Sequence, residues 1–266
     1  MSTAILANGA SERNLWRIYA LEAKYELLKL ARLPGYTIPT LAFPLMFYLL
    51  FGVAMGGRSA GPVNLAAYLL PTYGTFGVMG IALFGFGVGL AVERGQGWLL
   101  FKRATPMPPL AYFTAKLFMV VVFGLIQTAA LFTLGATAGK VDLPAADWAA
   151  LAGILIAGSI PFGAFGLAIG SWAGPNSAPA IVNVLYLPLA FASGMWLPIQ
   201  ALPGFFQTLA PWLPTYHFAQ LALSVLDADQ GRFPWMTSAA ILAVFMVVSL
   251  LVARVGYRRD EGKTFG

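Results

Sequence analysis

The sequence predicts an all-α polytopic membrane protein with six transmembrane helices, and three observations carry that prediction. The 266-residue chain is 59% hydrophobic and only 10% charged, against about 25% charged residues in an ordinary soluble domain. Between Asp147 and Asp227 there is no Asp, Glu, Lys or Arg at all. The apolar runs are continuous and reach the roughly 20 residues needed to cross about 30 Å of hydrocarbon. They do not alternate as barrel strands would.

The elements follow in order. MSTAILANGASERN has no charged start followed by an apolar core and a cleavage site, so it does not read as a cleaved signal peptide. Asn14–Leu33 reads as a helix. Arg13, Arg17 and Lys24 share one face, and Leu15, Tyr19, Ala23 and Leu30 share the other, which Glu12 and Glu26 interrupt. This pattern fits a helix lying in the membrane interface; a solvated helix is the alternative. Pro34-Gly35 ends it and turns the chain into the membrane. The spans are Tyr36–Gly56, Ala66–Val92, Leu110–Ala138, Trp148–Trp172, Ala178–Trp196 and Trp235–Ala253. Trp98, Trp148, Trp172, Trp196, Trp212 and Trp235 fall near span ends, as interfacial aromatics do. Gly52/Gly56, Gly85/Gly89, Gly135/Gly139 and Gly166/Gly170 have the small-xxx-small spacing that lets helices approach closely.

Sidedness follows from the basic residues. Thirteen lie before the first span (Arg13, Arg17, Lys24, Lys29, Arg32), between the second and third (Arg94, Lys102, Arg103, Lys116) and in the tail (Arg254, Arg258, Arg259, Lys263). Three, Arg58, Lys140 and Arg232, lie in the alternate connections. Both termini and Glu93–Lys116 are therefore expected on the cytoplasmic side. Lys116 is near the start of its helix and is expected to snorkel out to water. The sequence reads as one transmembrane domain over 1–266: an N-terminal interfacial segment 1–35, a membrane region 36–253 and a basic tail 254–266.

Leu197–Ala228 is apolar but carries Pro198, Pro203, Pro211 and Pro214. Each interior proline removes a helix hydrogen bond, and unpaired backbone cannot face lipid. A pair of short helices that dip in from the exoplasmic side and return is the economical solution. An exoplasmic loop with an interfacial helix is the alternative.

The sequence argues against several chemistries. It has no cysteine, so disulfides and thiolate chemistry are excluded. His217 is its one histidine, so no HExxH motif exists. No catalytic or metal-binding residues are assigned. Asp227 and Asp229 read as a solvated turn. Gly262-Lys263-Thr264 fails as a P-loop on spacing and context. The basic balance is topological, and no aromatic–basic nucleic-acid module is present. Ion-coupled transport would need an ionisable midplane group, which these spans do not display. If the chain moves solute uphill, energy must enter through a partner, with Glu93–Lys116 as the docking candidate.

Glu93-Arg94-Gly95, Ala104-Thr105-Pro106, Lys116 and Gln127, followed by Ser193-Gly194-x-Trp196-x-Pro198, Leu202-Pro203 and Leu213-Pro214-Thr215-Tyr216, resemble the course of the ABC-2 type permeases, membrane subunits of bacterial ABC exporters. The resemblance covers nearly the whole chain. It implies a non-catalytic permease in the bacterial inner membrane, paired with a second permease subunit (the same or a related chain) and two ABC ATPase subunits. These partners, not this chain, would bind ATP and Mg. The resemblance implies a coupling helix near Gly95–Thr105 that seats in the ATPase. Its contacts would come from Glu93, Arg94, Trp98, Leu99, Leu100, Phe101, Lys102, Arg103 and Pro106. It also implies an exoplasmic re-entrant gate carrying Trp196, Pro198, Pro203, Pro214, Tyr216 and His217. Family members commonly carry acidic residues within the coupling segment, where this chain has Gln96, Gly97, Lys102 and Arg103. An acidic or apolar cleft is therefore expected on the partner. The apolar spans suit a drug or lipid-like substrate. Polysaccharide or glycolipid export is the alternative cargo, and an ion-coupled secondary transporter or a lipid-modifying membrane enzyme are the alternative classes.

Overall fold

A computed structural model describes the backbone of residues 2–57, 59–60, 63–104 and 107–261, and side chains there except 2–14, 59–60, 100, 102–103, 109 and 260–261. The described chain is almost entirely helical. Helix α1 (Ser2–Ala31) precedes the first apolar helix, α2 (Pro34–Val53). A short antiparallel hairpin, β1 (Ser59–Ala60) and β2 (Val63–Asn64), leads into α3 (Leu65–Gly95). Then come α4 (Trp98–Ala104), α5 (Pro109–Thr137), α6 (Ala145–Trp172), α7 (Ala178–Ala192), α8 (Gly204–Leu209), α9 (Pro214–Leu223) and α10 (Trp235–Glu261).

Among the described residues, α2, α3, α5, α6 and α10 are long and apolar enough to cross a membrane. The expected fifth span, Ala178–Trp196, is helical only over Ala178–Ala192, 15 residues. That length covers about 22 Å, short of the hydrocarbon thickness. The helix stops because Gly194 adopts φ +75, where a Cβ would sit 3.0 Å from the Ile199 Cβ. Trp196 beyond it is not an interfacial anchor. Its ring packs on Phe47 at 5.7 Å and on Phe76 at 5.8 Å, inside the bundle.

Helix α3 is the central element: 78% of its most apolar window is buried, against 17% for α2 and α10. Asn64 starts it by accepting a hydrogen bond from the Ala67 amide at 2.8 Å, satisfying one of the unpaired N–H groups of a first turn. Its middle widens into a π-helical stretch at Leu83–Val88, matched by another at Tyr48–Val53 in α2. Neither was expected from sequence. The glycine spacing resolves as a contact within the chain. A Cβ at Gly170 of α6 would lie 2.5 Å from the Gly87 carbonyl of α3, so the two backbones meet where no side chain fits.

Among the described residues, Lys29, Arg94, Lys116 and Arg259 lie towards one end of the bundle. Arg94 bonds the last turn of α6, and Arg259 stacks 4.8 Å over Trp172. The hairpin, the α5–α6 connection and the turn after α9 share a hollow at the other end, lined by Val63, Lys140, Asp142 and Asp227.

Candidate functional site

At the basic end α3 delivers Glu93 and Arg94, adjacent residues that point to different helices. Glu93 is 6% exposed. Its Oε1 accepts hydrogen bonds from the Lys29 ammonium of α1 and, at 3.2 Å, from the Lys116 ammonium of α5. Its Oε2 accepts from the Tyr112 hydroxyl at 2.6 Å. Glu26 of α1 completes the cluster: its Oε1 accepts from Lys116 at 2.7 Å and from Lys29 at 3.5 Å. Two carboxylates thus face two ammonium groups, with the Tyr112 ring 5.0 Å from the Lys116 nitrogen.

Lys116 does not snorkel to water as the sequence suggested; it is fully buried. The cause is geometric. Glu26 and Glu93 approach it from two other helices, so the charge is compensated without leaving the protein. Burial disfavours the charged form of Lys29, but the Glu93 and Glu26 carboxylates outweigh it and hold its pKa above the usual lysine range. Sequence reasoning also misread Glu26, which looked like a flaw in an amphipathic helix and is an internal ion-pair partner.

Arg94 points the other way. Its guanidinium donates to the Ser171 carbonyl and, at 2.7 Å, to the Ala173 carbonyl. These acceptors lie at the end of α6, where carbonyls lack partners within the helix and the helix dipole favours a cation. Gly95 next to it lies against Pro175; a Cβ there would be 2.5 Å from the Pro175 ring.

The chain then turns sharply. Gln96 and Gly97 amides bond back to the Val92 and Arg94 carbonyls, and Gly97 takes φ +77, which ends α3 and frees α4 to start. Helix α4 presents Trp98, 56% exposed, and Phe101, 74% exposed; Leu99 is half-buried. Pro106 lies outside the described residues, as do the side chains of Leu100, Lys102 and Arg103. A cleft of about 610 Å³ separates α1 from α3 and α4, walled by Glu22, Glu26, Lys29, Tyr36, Val92 and Trp98 among others.

At the opposite end the prolines act as helix starts. Pro198 and Pro203 precede helical turns, and Pro214 occupies the first turn of α9, where a missing N–H costs nothing. Tyr216 is buried with Ile199, Leu202 and Ala210. Trp196 is held by the Tyr73 hydroxyl, which donates to its carbonyl at 3.2 Å. The Ser193 and Thr215 hydroxyls bond each other, tying the end of α7 to α9.

His217 is fully buried. Its Nε2 lies 2.9 Å from the Pro211 carbonyl, and its Nδ1 lies 3.1 Å from the Ser238 hydroxyl on α10. A carbonyl only accepts, so Nε2 donates; in the neutral ring Nδ1 then accepts from the Ser238 hydroxyl. Burial pushes its pKa below the usual histidine value, and the Pro211 bond offsets only part of that.

The sequence profile described as "ABC-2 type transporter" matches residues 19–226. A protein of Bacillus subtilis (strain 168) named "Putative transport permease YvfS" is 29% identical over 236 residues, covering 89% of this chain and 95% of that protein. The matched profile spans α2 to α9 and the C-terminal part of α1, so it contains both the Glu93–Arg94 joint and the proline-rich segment.

Proposed function

The chain belongs to the ABC-2 type transporter family, and from that premise we propose that it is the permease subunit of an ATP-driven exporter, energised through α4 by a separate ATPase. It is a multi-pass membrane protein of transport. In this reading 1–266 form one permease domain in a bacterial inner membrane, with both termini cytoplasmic. Helix α7 and the non-helical turn that carries the chain on to Trp196 make a short sixth crossing, and α8 and α9 form a re-entrant cap on the exoplasmic side. Two copies pair, and two ATPase subunits supply ATP, Mg and hydrolysis.

One observation carries the reading. The exposed apolar tip, Trp98 and Phe101, is about a turn away from two anchors, the buried Glu93 and the half-buried Arg94. Exposed aromatics next to basic residues are the usual makings of an interface hot spot. In this reading motion of α4 passes through Glu93 to α1 and α5, and through Arg94 to α6. A push from the ATPase therefore reaches four helices through one dipeptide.

The cargo in this reading is hydrophobic or amphipathic, a drug or a lipid-like molecule. Apolar walls favour a substrate that partitions from the bilayer. Reconstitution with the ATPase tests the whole proposal. ATPase activity should rise with amphipathic substrates and transport should require ATP. Transport by the permease alone, without ATP, would overturn it.

A further inference from the structure

We propose that the groove between α1 and α5 binds an anionic phospholipid, its phosphate on Arg17 and Lys24 and an acyl chain running inward to Phe118. The groove encloses about 690 Å³. Trp16, Tyr19, Ala23 and Leu27 form one wall, and Ala115 and Phe118 form the other. Lys24 stands in the lining, and Arg17 is seven residues before it, so both lie along the same edge of α1.

The two edges of α1 differ in charge. Towards α3 and α5 it carries Glu26 and Lys29, which neutralise each other and their partners. Along the groove it carries exposed cations. Neither Arg17 nor Lys24 makes an ion pair with a described residue. A negative group is what this edge lacks.

The depth of the groove selects a lipid over a soluble partner. Phe118 lies on a helix that crosses the membrane, nine residues past its Pro109 start, or about 13 Å inward. It is 48% exposed there. Trp16, 77% exposed, stands at the mouth as an interfacial aromatic would. The groove therefore sets a cationic edge on α1 beside a largely apolar wall on a membrane-crossing helix. A phospholipid matches both features, because its phosphate and its chain are joined in one molecule.

The test is a titration of phosphatidylglycerol into the purified permease held in phosphatidylcholine nanodiscs, with bound lipid counted by native mass spectrometry. Wild type should retain phosphatidylglycerol over phosphatidylcholine. Arg17→Gln with Lys24→Gln should weaken that retention about 30-fold, the worth of two surface cations. Both side chains are exposed, so the fold should survive. Arg258→Gln with Arg259→Gln, at the other basic surface, should leave it unchanged. Phe118→Ala should weaken the lipid while leaving any binding of soluble glycerol phosphate alone. Three results would overturn the proposal: equal retention of both lipids, an unchanged affinity in the Arg17 and Lys24 variant, or an equal loss in the tail variant. Competition by glycerol phosphate at the lipid's own affinity would assign the site to a free phosphate and also overturn it.

Discussion

Replacing Lys116 by Met removes the buried cation from the four-charge cluster and leaves the hydrophobic stem in place. Glu26 and Glu93, 5% and 6% exposed, would then share one partner, Lys29, whose side chain is 38% exposed. Removing one member of a buried pair costs about 3–5 kcal/mol, because a buried charge is left uncompensated. Lys29 reaches both carboxylates and Tyr112 still donates to Glu93, so the low end applies, about 3 kcal/mol. Glu26→Gln alone should cost a similar amount. The double variant removes one charge of each sign, so it should cost much less than the sum of the two. A double-mutant cycle on reversible unfolding in mixed micelles reads the coupling directly; about 2 kcal/mol or more is expected for groups in one network. If Lys116→Met costs under about 0.5 kcal/mol, the range of a surface substitution, the ammonium faces water and the argument fails.

Three further outcomes are expected. Gly170→Val should separate α3 from α6 at the Gly87 carbonyl, 2.5 Å from the new Cβ, and lower thermal stability by about 1–3 kcal/mol. Gly153, which has nothing within 4 Å, should tolerate alanine in the same assay. His217 has a lowered folded pKa, so the unfolded chain binds its proton first as pH falls. Its contribution to stability should be complete above the usual histidine pKa of about 6.5 and decline below it. His217→Gln should flatten that part of the stability–pH curve, and an unchanged slope would contradict the assignment.

What the sequence made legible depended on the range of each signal. The apolar runs are local, and five of the six expected spans fall on the long apolar helices, although Tyr36–Gly56 and Leu110–Ala138 run past the observed ends at Val53 and Thr137. The break between α7 and α9 was visible because proline acts on its own turn; what could not be seen is that each proline starts a helix. The end of α7 was misplaced because Trp196 has the residue type of an interfacial anchor, while its environment is set by Phe47 and Phe76, far away in sequence. The charge cluster was hidden for the same reason. Lys116 and Glu26 are 90 residues apart, and helical periodicity reports which face a residue occupies but not what another helix brings to it. Their shared signal was a charge that spoiled an otherwise apolar face: Glu26 on α1 and Lys116 inside α5. Read together, two such flaws of opposite sign suggest a pair.

The dipeptide Glu93-Arg94 was singled out by resemblance, and its geometry supplies a reason for that choice of residues. A carboxylate and a guanidinium side by side let one helix end hold three neighbours with opposite charges. Lysine at 94 would reach the α6 carbonyls one at a time, whereas the planar fork spans Ser171 and Ala173 together.

The most direct test of the account is the affinity of the purified permease for the proposed ATPase subunit, measured with Trp98→Ala and Phe101→Ala singly and together. Both side chains are exposed and outside the buried core, so folding should be unaffected. Each truncation should weaken the complex about 30-fold, the size of a hot-spot loss of about 2 kcal/mol, and ATPase stimulation by substrate should vanish in the pair. An unchanged affinity in the double variant would show that energy enters this permease somewhere other than α4.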